Sequence, residues 1–323
     1  MTRDWSLYLL LAVASFSGLA QAQSAFPSKP IRLVVTSPPG GANDTLNRAL
    51  VAKLSEFIPQ PIVIDNRPGA SGFVAAEIVA KAPADGYTVL AGTEATLVTN
   101  PLLFPRVPYD TQRDFAPVTM TAAVSHVLLV HPSLPAATVP ELIAVAKAKP
   151  GQLNYASSGS GSAFHLGMEL FKRMAGVDIV HVPYKGSALS VAAMLAGDVQ
   201  MMLIGTATGM PLARSGKARA IAMAGARRSP AAPEVPTISE AGLPGFEISS
   251  WFGAVVPSAT PTGVVTKLHG DFARALLSPD LRERLAPGGY EVIANTPAEF
   301  SRHMRAQSKR LAQVIREAGI KPE

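Results

Sequence analysis

The sequence contains no cysteine. This absence excludes a disulfide framework, a thiolate nucleophile, a zinc–thiolate site and a lipid anchor on cysteine. Such a chain is held together by its core alone, which is easy for 323 residues and hard below about 70 residues.

Charged and aromatic residues are also scarce, at 16% and 6%. Together with 48% hydrophobic residues, this composition is typical of a globular protein and not of a disordered one. The net charge of +6 could favour a nucleic-acid partner, but aromatic residues do not alternate with the basic ones as stacking platforms would. We therefore predict no nucleic-acid partner and a solvated basic surface, which would also attract anionic ligands.

Apolar runs long enough to span a membrane are absent. The apolar stretch near the beginning lies between Arg3 and the small-residue site Ala20-Gln21-Ala22, and it is shorter than the roughly 20 residues of a membrane span. Its order of charged, apolar and small residues is that of an export signal. We predict a signal peptide over residues 1–22; a buried N-terminal helix is the alternative.

Strand and helix patterns alternate along the rest of the chain, which predicts an α/β fold with a largely parallel sheet. A chain of this length usually divides its core between two domains. We predict one lobe from residues 23–125 plus 245–323 and a second from residues 126–244, with a hinge at the two crossings. Prolines in the stretch 101–117 predict irregular structure before a strand at 126–130.

Two glycine-rich loops each follow a predicted strand and precede a predicted helix. We call Pro38–Asp44 the first glycine loop and Ser157–Ser162 the second glycine loop. At a helix start, backbone N–H groups without internal partners attract an anion. Two such loops predict a small anionic ligand held between lobes, although each alone could be an ordinary strand–helix connection.

Enzyme and metal motifs are missing from the sequence. It has no G-x-S-x-G elbow, no Walker lysine, no dinucleotide fingerprint and no H-E-x-x-H. His165 and Glu169 share a helix face, where a local hydrogen bond is favoured over a metal pair, and His181 fits a strand. We predict no enzyme activity, metal or cofactor; the alternatives are a secreted hydrolase using Ser160 or Ser162 with His165, or a structural or adhesive protein.

Short motifs over nearly the whole mature chain together resemble one family. They are Phe26-Pro27-Ser28-Lys29-Pro30-Ile31-Arg32, Pro38-Pro39-Gly40-Gly41 with Asp44, Asn66-Arg67-Pro68-Gly69-Ala70, Pro83-Ala84-Asp85-Gly86-Tyr87-Thr88, Asp114-Phe115-Ala116-Pro117-Val118, Gly159-Ser160-Gly161-Ser162, His165-Leu166, His181-Val182-Pro183-Tyr184-Lys185-Gly186, Pro236-Thr237 and Glu240-Ala241-Gly242-Leu243-Pro244-Gly245. In these motifs the sequence resembles the Bug (Bordetella uptake gene) periplasmic solute-binding proteins, the receptors of tripartite tricarboxylate transporters.

The resemblance implies a two-lobed type II periplasmic binding protein fold with a hinge between the lobes. It implies a monomeric periplasmic receptor that captures a small carboxylate, such as an organic acid or amino acid, and delivers it to membrane permease subunits. A sensor without a dedicated transporter is the alternative. The matching ligand-binding positions are Ser37, Gly40, Gly41, Asn43, Asp44, Thr93, Glu94, Thr96, Ser158, Gly159, Ser160, Gly161, Ser162, His165, Tyr184, Lys185, Gly205 and Thr206.

Two positions depart from the family pattern. Gly205 stands where relatives often carry an aspartate that can meet a ligand ammonium, which argues against a simple acidic amino acid as ligand. Glu94 stands where relatives usually have a small or hydroxyl residue. A carboxylate in a pocket for carboxylates is unfavourable unless paired, so Glu94 either holds an ammonium or amide end of the ligand or points away from the cleft.

Overall fold

The computed structural model describes residues 26–69, 72–229 and 231–321, so the predicted signal peptide lies outside the described residues. The strands are β1 (Ile31–Val35), β2 (Ile62–Asn66), β3 (Thr88–Thr93), β4 (Phe115–Val130), β5 (Asn154–Ser157), β6 (Val180–Pro183), β7 (Met201–Gly205), β8 (Arg219–Met223), β9 (Ser249–Pro257) and β10 (Tyr290–Val292). The helices are α1 (Ala42–Leu54), α2 (Phe73–Ala80), α3 (Asn100–Leu103), α4 (Thr111–Asp114), α5 (Val139–Ala148), α6 (Ala163–Ala175), α7 (Ser187–Ala196), α8 (Thr206–Arg214), α9 (Thr262–Leu276), α10 (Pro279–Leu285) and α11 (Pro297–Glu317). A π-helical turn covers Ala95–Thr99 and a 3₁₀ turn covers Ala286–Gly288.

The strands form one curved sheet in the order β2-β1-β3-β9-β4-β7-β5-β6, with β8 and β10 also paired to β4. Strands β1, β2 and β3 are parallel to one another, as are β5, β6 and β7. The central pairs of β9 with β3 and of β4 with β9 and β7 are antiparallel. The predicted α/β class is therefore confirmed, while the expectation of a largely parallel sheet holds only for the two outer groups.

Strand β4 joins the two groups. Its residues 115–125 pair with β9, and its residues 126–130 pair with β7 and β8. The expectation of irregular structure up to Pro117 was wrong where β4 begins. Proline has no N–H for the ladder, and the register shifts between Pro117 and Thr119, so a bulge accommodates the proline inside the strand.

Apolar residues pack on both faces of this sheet. Helices α1 and α9 cover the strands around β1 through fully buried residues such as Leu33, Leu50 and Leu268. Helix α11 begins with a capping box of Thr296 and Glu299 and packs against β4. The core therefore holds the carboxyl ends of the parallel strands in place, and the glycine loops leave the sheet at those ends.

The sequence predicted the starts of these helices unequally well. Helix α1 was expected from Thr45 but begins at Ala42, so its first turn lies inside the first glycine loop. Helix α8 was missed, because Gly209 and Pro211 interrupt its pattern. A Cβ at Gly209 would lie 2.4 Å from Cγ1 of Val127, which shows that this glycine lets α8 approach β4 closely.

Candidate functional site

The first glycine loop is shaped by a side chain from the helix that follows it. Gly40 has a φ of +80°, Gly41 is the extended N-cap of α1, and the Gly40 N–H donates to Oδ2 of Asp44 over 2.8 Å. No side chain caps the first turn of α1. The N–H groups of that turn are therefore left for water or a ligand.

The Asp44 carboxylate is part of the scaffold of this loop. It is fully buried and also accepts hydrogen bonds from Nδ2 of Asn66 and Nε of Arg48, each over 2.8 Å. Burial alone would raise the pKa of Asp44, but these donors and the Gly40 N–H hold it below its ordinary value. The carboxylate stays ionised, and the guanidinium compensates its charge.

Strands β1 and β3 end beside each other next to this loop. Nδ2 of Asn43 donates to Oγ1 of Thr36 over 3.0 Å, and the hydroxyls of Thr93 and Thr96 lie 3.0 Å apart. A Cβ at Gly72 would lie 2.4 Å from Oγ1 of Thr96 and 3.4 Å from Cβ of Thr36. The predicted residues Asn43, Thr93 and Thr96 are therefore brought together, along with Thr36 and Gly72, which the sequence did not single out.

Ser37 precedes the same loop. Its carbonyl accepts a hydrogen bond from Nδ2 of Asn66 over 3.0 Å, and its buried hydroxyl has no partner among the described residues. A Cβ at Gly41 would lie 3.1 Å from that hydroxyl oxygen, so Gly41 leaves room for it.

The second glycine loop has the same backbone arrangement as the first. Gly161 has a φ of +77°, and Ser162 is the extended N-cap of α6. The Gly161 N–H donates to Nδ1 of His165 over 3.0 Å. In both loops a left-handed glycine before the N-cap thus donates to the third residue of the helix, which is an acid in one loop and an imidazole in the other.

His165 belongs to a stack of rings beneath the second glycine loop. His165 is 6% exposed, and its ring lies 3.8 Å from that of His181, with an interplanar angle of 13°. Tyr155 stacks on His181 at 4.8 Å, and Nε2 of His181 lies 2.6 Å from Oγ of Ser157. His181 lies in strand β6, as predicted. The hydroxyl of Ser157 in turn donates to the carbonyl of Gly159 over 3.1 Å.

The other predicted residues of this half lie around the same loop. The Tyr184 N–H donates to the Ser157 carbonyl over 3.1 Å, and the Gly186 N–H donates to the Ser158 carbonyl over 3.3 Å. Ser160 lies between the two loop glycines and is partly exposed, whereas Lys185 is exposed. The loop after β6 therefore supports the second glycine loop through its backbone.

Gly205 and Thr206 lie beside the point where β4 changes its pairing from β9 to β7. Oγ1 of Thr206 donates to the Ser125 carbonyl over 2.7 Å, and Gly205 is opposite His126 in the ladder. His126 is 1% exposed, and its Nε2 lies 3.0 Å from Oγ of Ser250. Burial lowers the pKa of His126 to about 4. Nothing in the sequence marks this residue beyond its position in a predicted strand.

Glu94 is a buried acid directly after β3. It is 6% exposed, its Oε1 accepts a hydrogen bond from Thr99, and the charge of Arg310 on α11 acts on it. Burial raises the pKa of Glu94 to about 7. Of the two positions considered from the sequence, this placement favours the one in which Glu94 does not meet the ligand.

The second glycine loop touches the segment that follows β3. A Cβ at Gly161 would lie 2.6 Å from Cδ1 of Leu103 on α3. Helix α3 directly follows the π-helical turn that contains Thr96, so this contact joins the second glycine loop to the segment after β3. A separate groove of about 600 Å³, lined in part by Phe104, Tyr109 and Arg305, contains none of the predicted site residues.

Within residues 26–69, 72–229 and 231–321, no cluster of three or more histidine, aspartate or glutamate side chains is arranged to hold a metal ion. Oε1 of Glu169 accepts hydrogen bonds from the Tyr155 hydroxyl and from Nζ of Lys172, each over 2.7 Å. None of the described helices combines the length and hydropathy needed to cross a bilayer.

Comparisons with known proteins agree with this architecture. The sequence pattern of the tripartite tricarboxylate transporter family receptor matches residues 46–320. Protein BugT of Bordetella pertussis is 36% identical over 308 residues, which cover 94% of each chain. The solved structure of R. palustris Rpa4515 with adipate is 41% identical, with a TM-score of 0.76, over 92% of this chain and 100% of that chain.

A second solved relative is MatC (Rpa3494) from Rhodopseudomonas palustris with bound malate. It is 33% identical, with a TM-score of 0.71, over 90% of this chain and 100% of that chain. These likenesses confirm the predicted periplasmic binding protein fold, and they set aside the hydrolase and adhesive alternatives because the relatives are receptors. The chain belongs to the tripartite tricarboxylate transporter receptor family, the solute-binding family that includes the Bug proteins.

Proposed function

We propose that this receptor captures a small carboxylate between its first and second glycine loops. The observation that carries the proposal is the shared geometry of the loops, in which φ is +80° at Gly40 and +77° at Gly161. Each loop leaves a parallel strand at its carboxyl end and leads into a helix start. Relatives solved with adipate and with malate support a dicarboxylate.

The forces available at these loops are sufficient for micromolar affinity. A hydrogen bond to a charged group contributes about 1.5–3 kcal/mol, and a helix N-terminus adds about 0.3–1 kcal/mol. A micromolar complex needs roughly 8 kcal/mol, which two such loops can supply after ordering costs. The Asp44 carboxylate does not cancel this attraction, because Arg48 and Asn66 pair with it.

Ligand capture would be accompanied by closure of the two lobes. We propose the hinge where β4 changes partners between Ser125 and His126 and where the chain returns into β9 at Ser249. The lobes would then be residues 23–125 plus 245–323 and residues 126–244. A ligand that contacts both lobes stabilises the closed form, because only that form offers both sets of contacts.

The remaining assignments follow the family. We propose export by the signal peptide at residues 1–22, a periplasmic location and delivery of the ligand to membrane permease subunits. We expect a monomer. A sensor without a dedicated transporter would use the same cleft, and a growth assay on the identified ligand, with and without candidate permease genes, separates these two roles.

The proposal is tested by calorimetric titration with adipate and malate, with adipamide as the uncharged comparison. We expect binding of a dicarboxylate and no binding of the diamide, since the amide lacks the charge that the helix starts attract. At ligand a hundredfold above Kd, the free energy of unfolding would rise by about 2.7 kcal/mol. Equal binding of adipamide would contradict the proposal.

Gly161→Ala tests the second glycine loop directly. The added methyl would lie 2.6 Å from Cδ1 of Leu103 at a positive φ of +77°, so the loop or the Leu103 side chain must shift. We expect at least a tenfold loss of affinity. Gly216→Ala is the matched control, because Gly216 has a φ of +70° and open space around it. Equal affinity of the two variants would remove the second glycine loop from the site.

A further inference from the structure

We propose that His165 is a positioning residue that acts through Gly161 and makes ligand capture sensitive to acid. The neutral imidazole would hold the second glycine loop in its binding form, and protonation would release the loop. This inference rests on the proposed function, because it takes that loop to be half of the carboxylate site. The supporting observation is the pairing of the Gly161 N–H with Nδ1 of His165 at 3.0 Å.

The direction of the effect follows from the chemistry of imidazole. A nitrogen that accepts a hydrogen bond carries no proton, so the loop geometry in the structure requires a neutral His165 ring with its proton on Nε2. In the imidazolium both ring nitrogens are donors. An N–H would then face the Gly161 N–H across the same contact, and the loop would have to move.

The groups that face His165 and its loop come from β5, β6, α3 and α6. His181 from β6 stacks on it at 3.8 Å, and Tyr155 from β5 stacks on His181 at 4.8 Å and lies 6.4 Å from His165. On α6, Glu169 lies 2.7 Å from Nζ of Lys172, so these two charges largely compensate each other. On the side of α3, the loop meets the apolar side chain of Leu103.

A competing effect has the opposite sign. A bound carboxylate would attract an imidazolium, which would raise affinity in acid. The contact between Nδ1 and the Gly161 N–H is direct, and His165 is 6% exposed beneath the loop, so we expect the loss of loop geometry to dominate. An affinity that rose on acidification relative to a non-titrating variant would show the reverse and overturn the proposal.

Replacement by asparagine separates the two effects. In His165→Asn the side-chain Oδ1 takes the place of Nδ1 as acceptor, and it has no proton to gain in this pH range. As acidification from pH 7.5 to pH 5.5 adds a proton to Nδ1, the neutral fraction of His165 falls and the apparent affinity falls with it. We expect this loss in the wild-type protein and its absence in the asparagine variant.

The experiment is calorimetric titration with adipate at the two pH values. Adipate itself titrates in this range, so we take for each protein the factor by which Kd rises from pH 7.5 to pH 5.5. The measured quantity is the wild-type factor divided by the factor for His165→Asn. We expect a ratio of about three or more, because the wild-type protein loses its neutral ring and the variant does not. His131→Gln is the control, since His131 bonds Ser133 at 2.7 Å outside the ring stack and should leave the wild-type profile unchanged. A ratio near one would overturn the proposal.

A second measurement needs no ligand. Hydrogen exchange of the peptide 157–165, followed by mass spectrometry, should show more opening of the wild-type loop than of the His165→Asn loop at pH 5.5 and equal opening at pH 7.5. If neither adipate nor malate binds at pH 7.5, the proposed function fails, and exchange still decides the role of His165. If the asparagine variant does not fold, ¹⁵N-histidine spectra of the wild type replace it; loop protection that persists while Nδ1 of His165 gains a proton would overturn the proposal.

Discussion

The two glycine loops reach one backbone form with different side chains. In the first, the acceptor of the glycine N–H is the Asp44 carboxylate at 2.8 Å; in the second, it is the His165 imidazole at 3.0 Å. The acid has a pKa held below its ordinary value, whereas an imidazole ordinarily titrates near pH 6.5. The comparison teaches that two loops of the same backbone shape can respond differently to pH, because the response depends on the side chain that accepts the glycine N–H.

Removal of Asp44 should give the largest effect on stability. Asp44→Ala leaves the Gly40 N–H, Asn66 and Arg48 without their common acceptor at a fully buried position. We expect a loss of about 4 kcal/mol in the free energy of unfolding, because each donor left without its acceptor costs about 1–3 kcal/mol. Denaturation with urea measures this loss.

Two variants make this result specific. Asp44→Asn keeps one acceptor oxygen and should lose less stability than the alanine variant. Arg48→Ala removes a half-exposed partner and should lose less than either. If Asp44→Ala unfolded within about 0.5 kcal/mol of the wild type, the first glycine loop would not depend on its acid, and the proposed equivalence of the two loops would fail.

A second acid near the end of β3 behaves in the opposite way. The pKa of Glu94 is raised from 4.5 to about 7 by burial, so between these values the folded protein binds more protons than the unfolded chain. Its contribution to stability is present below pH 4.5 and is lost as pH rises through 7. At 1.36 kcal/mol per unit, the loss is about 3 kcal/mol.

Glu94→Gln should therefore be more stable than the wild type at pH 8, and its stability should vary less between pH 4.5 and 8. Urea denaturation across this pH range checks the prediction, and dicarboxylate titration in parallel should give unchanged affinity. A changed ligand preference would return Glu94 to the binding site. An identical pH profile would show that this carboxyl does not titrate differently on folding.

The sequence located both loops because glycine and small hydroxyl residues between a strand and a helix are a local pattern. The sequence did not predict which side chains hold the two loops in their shape. Asp44 was taken as a ligand residue since it sits in the motif, yet its carboxylate is occupied by Gly40, Asn66 and Arg48. The stack of His165 on His181 joins residues from different elements, and periodicity carries no information on such pairs.

The secondary structure was also predicted only where it depends on local sequence patterns. Alternating patterns located most strands and helices, because these depend on local spacing. The first part of β4 was missed at Pro117, where a bulge in the pairing with β9 compensates for the missing N–H. Helix α8 was missed because Gly209 packs against Val127 on another strand. In both cases a partner distant in sequence overrides the local signal.

His181→Gln should give the smallest effect and sharpens the comparison of the two loops. Glutamine keeps a nitrogen that can meet Ser157 but carries no charge, so a cation on the stacked ring can no longer oppose protonation of His165 at 3.8 Å. We expect the acid-induced loss of adipate affinity to begin at a higher pH than in the wild type. Titrations at closely spaced pH values between 5.5 and 7.5 measure the shift, with His131→Gln again as the control. A shift to lower pH would mean that protonation of His181, and not of His165, releases the second glycine loop. The imidazole whose response to pH differs from that of the Asp44 carboxylate would then be His181.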